Sequence, residues 1–259
     1  MTAPPPTGQQ LPDLAGPDLS APDLSGVMLR PVRGHHAFEA CVEQLATAIR
    51  LGVYPLGSML PAERELAERM HVSRATLREA IVALRAADLV ETRRGRGGGT
   101  VVTMKPQTPS ARKAARTTAE QRADWLDALE FRRIVEAGAA YQVASTTLDD
   151  QARARLEAAH LAVAGATSRA RHRQADSRFH LTLASLTGSP RTLESVTSVQ
   201  ASLHEMLSAI PVLDANIAHS DAQHATLLRA VLAGRADRAR QTMEEHCDDT
   251  AALLRGLLG

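Results

Sequence analysis

Aromatic residues are scarce: three Phe, two Tyr and one Trp make up 2% of the 259 residues. Sandwich and barrel cores lean on aromatic and β-branched side chains, so a core built from Leu, Val, Ile and much Ala favours closely packed helices. Cysteine is scarcer still. Cys41 and Cys247 lie far apart with no CxxC spacing, which argues against a disulfide framework or a zinc ribbon and leaves two reduced, buried thiols as the expectation. No run approaches the ~18 apolar residues of a membrane span, and the N-terminus has neither the basic region nor the apolar stretch of a signal peptide. A cytoplasmic protein with no membrane partner is expected.

A net charge of +1 conceals an uneven distribution. Residues 30–105 hold twelve Lys/Arg against eight Asp/Glu, whereas residues 106–259 hold eighteen of each and residues 1–29 carry only Asp13, Asp18 and Asp23. The basic part is therefore the N-terminal part.

Residues 1–29 repeat Pro-Asp-Leu three times, at Pro12, Pro17 and Pro22, in a Pro-, Gly- and Ser-rich background, and read as a disordered tail. Residues 30–105 read as one unit. Phe38, Cys41, Val42, Leu45, Ala48 and Ile49 recur at helical spacing up to Gly52. A second helix is predicted to begin at Pro61 and end near His71, burying Leu66 and Met70. A third, capped by Ser73, is predicted to run to about Ala87 with Leu77, Ile81, Val82 and Leu84 inward. Two helices joined by so tight a turn make a helix-turn-helix. Leu89–Thr92 and Thr100–Thr103 flank a Gly/Arg-rich segment, predicting a β-hairpin wing. Residues 106–120 lack apolar period and read as a linker. Residues 121–259 carry six helical stretches, near 121–146, 149–164, 168–187, 190–209, 214–233 and 236–257. The expected fold is mostly α: a three-helix winged helix-turn-helix with a hairpin, then an all-helical bundle.

Within residues 49–102, Gly52, Tyr54-Pro55-x-Gly57, Leu60-Pro61-x-Glu63-Arg64-x-Leu66-Ala67, Val72-Ser73-Arg74-x-Thr76-x-Arg78-Glu79-Ala80 and the Gly95-Arg96-Gly97 wing resemble the winged helix-turn-helix of the GntR superfamily. The physics of these residues agrees with that likeness. Arg74 and Arg78, at i,i+4 near the start of the recognition helix, suit a major groove, where guanidinium forks take guanine edges or phosphate. The resemblance makes Arg64 a third contacting arginine, Ser73 and Thr76 offer hydroxyls to phosphates or base edges, and Arg94, Arg96 and Gly97 form a wing suited to a minor groove or its phosphates. Ala62 stands where the family has Ser, which removes a hydroxyl from a helix start.

Residues 121–257 resemble the FCD effector domain of the FadR-like branch through Glu130-x-Arg132-x3-Glu136, Asp176-x3-His180, Thr187-Gly188 and His224…Gly234…Ala239…Met243…His246. Asp176 and His180 lie one helical turn apart, and two antiparallel last helices would return His246 to the level of His224. Three imidazoles and a carboxylate suit a divalent ion with positions left open, zinc or nickel being favoured. Arg132 beside such an ion would capture a small organic or sugar acid, unless it merely pairs with Glu136 one turn on. His204 and His219 fall outside the family pattern. The resemblance implies a homodimeric repressor, not an enzyme, reading a near-palindromic DNA operator. The alternatives are a metal-dependent enzyme fused to a DNA-targeting module, against which the lack of an HExxH-type motif argues, or a direct sensor of the metal.

Overall fold

The computed structural model describes residues 24, 29, 31–32, 37–93, 98–104, 118–209 and 214–258. Helices dominate these residues, and one antiparallel hairpin accompanies them. Helix α1 (Ala37–Arg50) buries Cys41, Leu45, Ala48 and Ile49, and Gly52, at φ +73°, turns the chain out of it. Phe38 and Val42 lie at the edge of the buried stripe, Phe38 being 37% exposed. Helix α2 (Glu63–Met70) begins two residues after Pro61, later than the sequence suggests. Its N-cap is Ala62, which offers no side-chain acceptor. His71, in the left-handed region, ends it by returning its N–H to the last turn. Helix α3 (Arg74–Ala86) starts where Ser73 Oγ accepts the Thr76 N–H at 3.0 Å. It buries Leu77, Ala80, Ile81 and Leu84, whereas Val82, expected inward, is 47% exposed. One residue rotates a helix by about 100°, so Val82 leaves the face that Ile81 occupies.

Strands β1 (Val90–Arg93) and β2 (Gly99–Val102) pair antiparallel with Val90 opposite Val102 and Arg93 opposite Gly99. An isolated two-stranded hairpin is marginal in water. Here residues 57–60, expected only to turn, run along the outer edge of β2, with bonds from Gly57 N to Val102 O (2.9 Å), Val102 N to Ser58 O (2.9 Å) and Leu60 N to Thr100 O (2.8 Å).

The C-terminal bundle comprises α4 (Ala119–Ala144), α5 (Asp150–Ala164), α6 (Arg169–Ser185), α7 (Pro190–Ala209), α8 (Asp214–Leu232) and α9 (Ala236–Leu258). Thr118, Asp149, Ser168 and Ser189 cap the first four, each side-chain oxygen accepting the N–H three residues on. Gly188 and Gly234 supply the positive φ at two of the turns. The longest-packed pair is α4 with α9.

Two apolar clusters fill the bundle: one around Phe179, Leu156, Leu183 and Met243, the other at one end around Trp125, Leu129, Leu203, Met206 and Leu254. A third joins the two halves of the chain. It contains Leu45, Ile49 and Leu51 from the N-terminal unit together with Leu181 and Ala184 of α6 and Leu193 and Val196 of α7. Gln174 on α6 donates to Ile49 O at 3.3 Å, at the C-terminal end of α1. Leu24 and Leu29, within the segment read as a disordered tail, are buried in this same cluster. The burial corrects the reading at those two positions, because a leucine from the third Pro-Asp-Leu unit has apolar surface to cover. The other residues of 1–29 lie outside the described residues, as do 106–117 of the expected linker, while α4 begins inside that linker's last two positions.

Gly52 makes this junction tight. A Cβ there would stand 2.7 Å from Gln174 Cβ on a backbone that L side chains rarely adopt. Gly52→Ala is expected to lower stability by about 2–3 kcal/mol in urea melts, strain and collision together. An unchanged midpoint would mean that the seat of α1 on α6 yields freely.

Candidate nucleic-acid interface and metal centre

The helix-turn-helix presents its polar residues on one exposed side. Ser73, Arg74 and Arg78 are exposed, Thr76 is half-buried, and Arg64 projects from the first turn of α2. Ser73 Oγ is engaged by the Thr76 N–H and lies 2.9 Å from Thr76 Oγ1, so both hydroxyls serve the start of α3. Arg64 pairs with Glu68 at 3.4 Å, and Arg78 reaches across the turn to Glu63 at 3.3 Å. Exposed pairs of this kind contribute under about 1 kcal/mol, so either arginine can leave its glutamate at little cost. Arg94, Arg96 and Gly97 lie outside the described residues, between the ends of β1 and β2.

Inside the bundle the polar residues gather at one level. Along α4 the apolar run is interrupted at Arg132 and Glu136, along α7 at Gln200, along α8 at His224 and along α9 at His246, each nearly inaccessible. His180 joins them from α6. One ring nitrogen from each of His180, His224 and His246 lies within 4.8 Å of the other two. The Nε2 atoms of His180 and His224 are 3.2 Å apart. Asp176, one turn before His180, places Oδ1 3.6 Å from His224 Nε2 and Oδ2 4.0 Å from His180 Nε2. All four residues singled out from the sequence thus meet. Arg132 meets them too: Nη2 lies 3.1 Å from His246 Nε2 and Nε 3.2 Å from Glu136 Oε2. The guanidinium therefore pairs with Glu136 and faces the histidines at once, while its Nη1, also buried, makes no hydrogen bond.

Residues 38–102 match the family model for bacterial regulatory proteins of the gntR family, and residues 127–249 match that of the FCD domain. The chain belongs to the GntR family of transcriptional regulators and carries an FCD domain. The Mycobacterium gastri protein named HTH-type transcriptional regulator RmpR is 32% identical over 80% of this GntR regulator and 76% of its own length. The Escherichia coli K12 protein named for regulation of the L-lactate dehydrogenase operon is 32% identical over 73% and 75%. Among solved structures, E. coli McbR/YncC covers 86% of this chain and 99% of its own at 16% identity and a TM-score of 0.52. A GntR regulator from Rhodococcus sp. RHA1 covers 85% and 97% at 23% identity and a TM-score of 0.50. These two likenesses are of fold. The family and the relatives are regulators of transcription, not enzymes.

Sequence reasoning missed the residues that hold this regulator's histidines in place. Glu136 Oε2 stands 2.8 Å from His180 Nδ1, and Glu136 Oε1 accepts from Gln200 Nε2 at 2.6 Å. His246 Nδ1 lies 3.1 Å from Gln223 Oε1, and Gln223 Nε2 donates to Asp249 Oδ2 at 2.7 Å. Only Glu136 had a sequence signal, its place in the family pattern. His219, exposed, pairs with Asp249 at 2.9 Å. Burial alone would raise the Glu136 carboxyl, but Arg132, His180 and Gln200 outweigh it and hold the group at about 2. Burial would lower the Arg132 guanidinium, but the carboxylates of Glu136 and Asp176 beside it outweigh that and keep it charged. Burial pushes the Cys247 thiol up to about 12, so it stays protonated and inert. Burial first, then the neighbouring rings and Arg132, pushes His224 and His246 well below the ordinary imidazole value. Both rings are therefore neutral, which is the form that binds metal.

A cavity of about 430 Å³ opens beside the cluster. Arg132, Asp176 and His246 line its inner end, and Leu203, Leu207, Ile217 and Leu253 part of its wall. Among the described residues, no helix is long and apolar enough to cross a membrane.

The lowered histidines give a signed pH dependence. Unfolded imidazoles take up protons near pH 6.5 while the buried rings do not, so stability is complete above that pH and falls as pH drops below it. Between pH 7.5 and 5.5 chelator-stripped protein should lose about 1 kcal/mol for each of the two rings, seen as a lower melting temperature. His224→Gln should lose measurably less over the same range; equal losses would contradict neutral burial of that ring.

Proposed function

We propose that this chain is a cytoplasmic, homodimeric repressor of the FadR-like branch, and that a small carboxylate bound at a metal ion in the FCD domain changes its hold on DNA. The reading divides it into a winged helix-turn-helix over 30–105, a linker over 106–120 and the effector domain over 121–259. The two family-model matches fall inside those domains.

The single observation that carries the metal reading is the convergence of three buried imidazoles and Asp176 at one level beside the cavity. Tetrahedral nitrogen ligands about 2.0–2.1 Å from zinc stand roughly 3.3 Å apart. The 3.2 Å between His180 and His224 Nε2 fits that spacing. Asp176, His180, His224 and His246 would hold the ion, zinc or nickel by donor chemistry. When bound, the ion supplies a Lewis-acid position for a carboxylate oxygen. Arg132, charged and with Nη1 unbonded at the inner end of the cavity, supplies the matching cation for an organic or sugar acid. A relative named for an L-lactate dehydrogenase operon, whose enzyme handles a small hydroxy acid, supports that class of effector.

On the DNA side, Arg64, Ser73, Arg74, Thr76 and Arg78 are assigned to phosphate and base contacts, with Arg94, Arg96 and Gly97 at the wing. Twofold symmetry of a dimer calls for a near-palindromic operator. Arg74→Ala is expected to weaken operator binding by about 1–3 kcal/mol with an unchanged melting temperature. Undiminished protection in a footprint would remove Arg74 from the interface.

The effector half is tested by thermal melts against organic and sugar acids, with metal-loaded and chelator-stripped protein side by side. Specific binding raises the melting temperature by mass action. An acid that stabilises only the metal-loaded protein is the expected result. Stabilisation by metal with no response to any acid would instead favour sensing of the ion itself, and no response to metal would return the three histidines to a structural role.

A further inference from the structure

His246 is held from both sides in one tautomer. On the cluster side, Arg132 Nη2 lies 3.1 Å from Nε2. A guanidinium can only donate, so Nε2 must carry the lone pair. On the other side, Gln223 Oε1 lies 3.1 Å from Nδ1. A glutamine amide is free to turn end for end, and turned over it would donate to Nδ1 and select the opposite tautomer. Asp249 prevents that turn. Its Oδ2 accepts from Gln223 Nε2 at 2.7 Å, and a carboxylate facing the amide oxygen would repel it. The Gln223 oxygen is thereby committed to accepting the proton on His246 Nδ1. His219, 2.9 Å from the same Oδ2, steadies the carboxylate from the solvent side.

We propose that Gln223 and Asp249 are positioning residues for the metal site: a relay from the rim of the cavity through the Gln223 amide to His246 that keeps its Nε2 lone pair turned into the cluster. The proposal rests on the metal reading above. Hydrogen bonds to the far nitrogen of a ligating imidazole fix its orientation, and their loss typically lowers metal affinity about 10–100-fold. The relay differs from a simple clasp between α8 and α9, because it depends on which atom of Gln223 faces the ring. It also places the last member of the chain, Asp249, in the lining of the cavity, where its side chain is half exposed.

The test is the affinity of the full-length, chelator-stripped protein for zinc and for nickel, measured by competition with a chromophoric chelator, with the melting temperature of the metal-free protein recorded for each variant. Gln223→Leu should bind about 10–100-fold more weakly. Asp249→Asn should also bind more weakly while melting like the wild type, because an asparagine amide can donate to the Gln223 oxygen and release the flip. Gln223→Glu should bind more tightly than Gln223→Leu, since one carboxylate oxygen still accepts from Nδ1 although the other now faces and repels Asp249. A clasp alone predicts the reverse: Gln223→Glu and Gln223→Leu equally impaired, both through a lower melting temperature. Tight binding by the wild type with undiminished binding by Gln223→Leu and Asp249→Asn would overturn the relay and leave the metal reading standing. A wild type that binds neither metal would overturn both.

Discussion

The ion pair between Arg132 and Glu136 is the constraint around which the rest of the FCD domain is arranged. Both side chains are almost wholly removed from water, at 1% and 2% exposure. A buried charge left without partners costs several kcal/mol, so each member must be satisfied locally. Glu136 uses both oxygens, facing Arg132 and His180 with one and Gln200 with the other. Arg132 turns its remaining donors toward His246 and the cavity. Four helices therefore have to bring polar atoms to the same height, and the apolar clusters above and below that height are what remain of an ordinary bundle core.

The DNA-binding half is organised by weaker forces. Its recognition helix starts on a serine cap, its preceding helix on an alanine without one, and the arginines on its open side pair with neighbouring glutamates. Caps contribute about 1 kcal/mol and exposed pairs less. Such a surface is stable enough to be presented and loose enough to change partners, as a DNA-reading face must be. The hairpin is held differently, by the edge along residues 57–60, so the base of the wing is fixed in a small sheet.

Much of this was legible in the sequence. Apolar periodicity located the helices of the bundle to within about two residues, because a helix repeat is local in sequence. The four candidate ligands were legible through the resemblance to the FCD domain, with which the spacing on one helix and the return along another agree. What escaped was whatever depended on a partner distant in sequence. Periodicity names a face but not what the face meets, so Val82 reads as inward, Glu136 reads only as a family-pattern position one turn from Arg132, and Gln200, Gln223 and Asp249 carry no signal. The edge at residues 57–60 was invisible for the same reason: four residues around a glycine turn carry no strand pattern until β2 lies beside them. Pro61 pointed to a helix start that Ala62, lacking a side-chain cap, yields to Glu63.

The contact between Gln174 and the carbonyl of Ile49 bears on distance. Gln174 and His180 stand six residues apart on one unbroken helix, about 9 Å of rise. A helix of that length moves as a stiff rod. A displacement of α6 at His180 would therefore be carried toward the end of α1, against which Gly52 packs closely. A signal between the two halves of this protein would then need no chain of side-chain rearrangements: a short lever in contact at both ends would carry it.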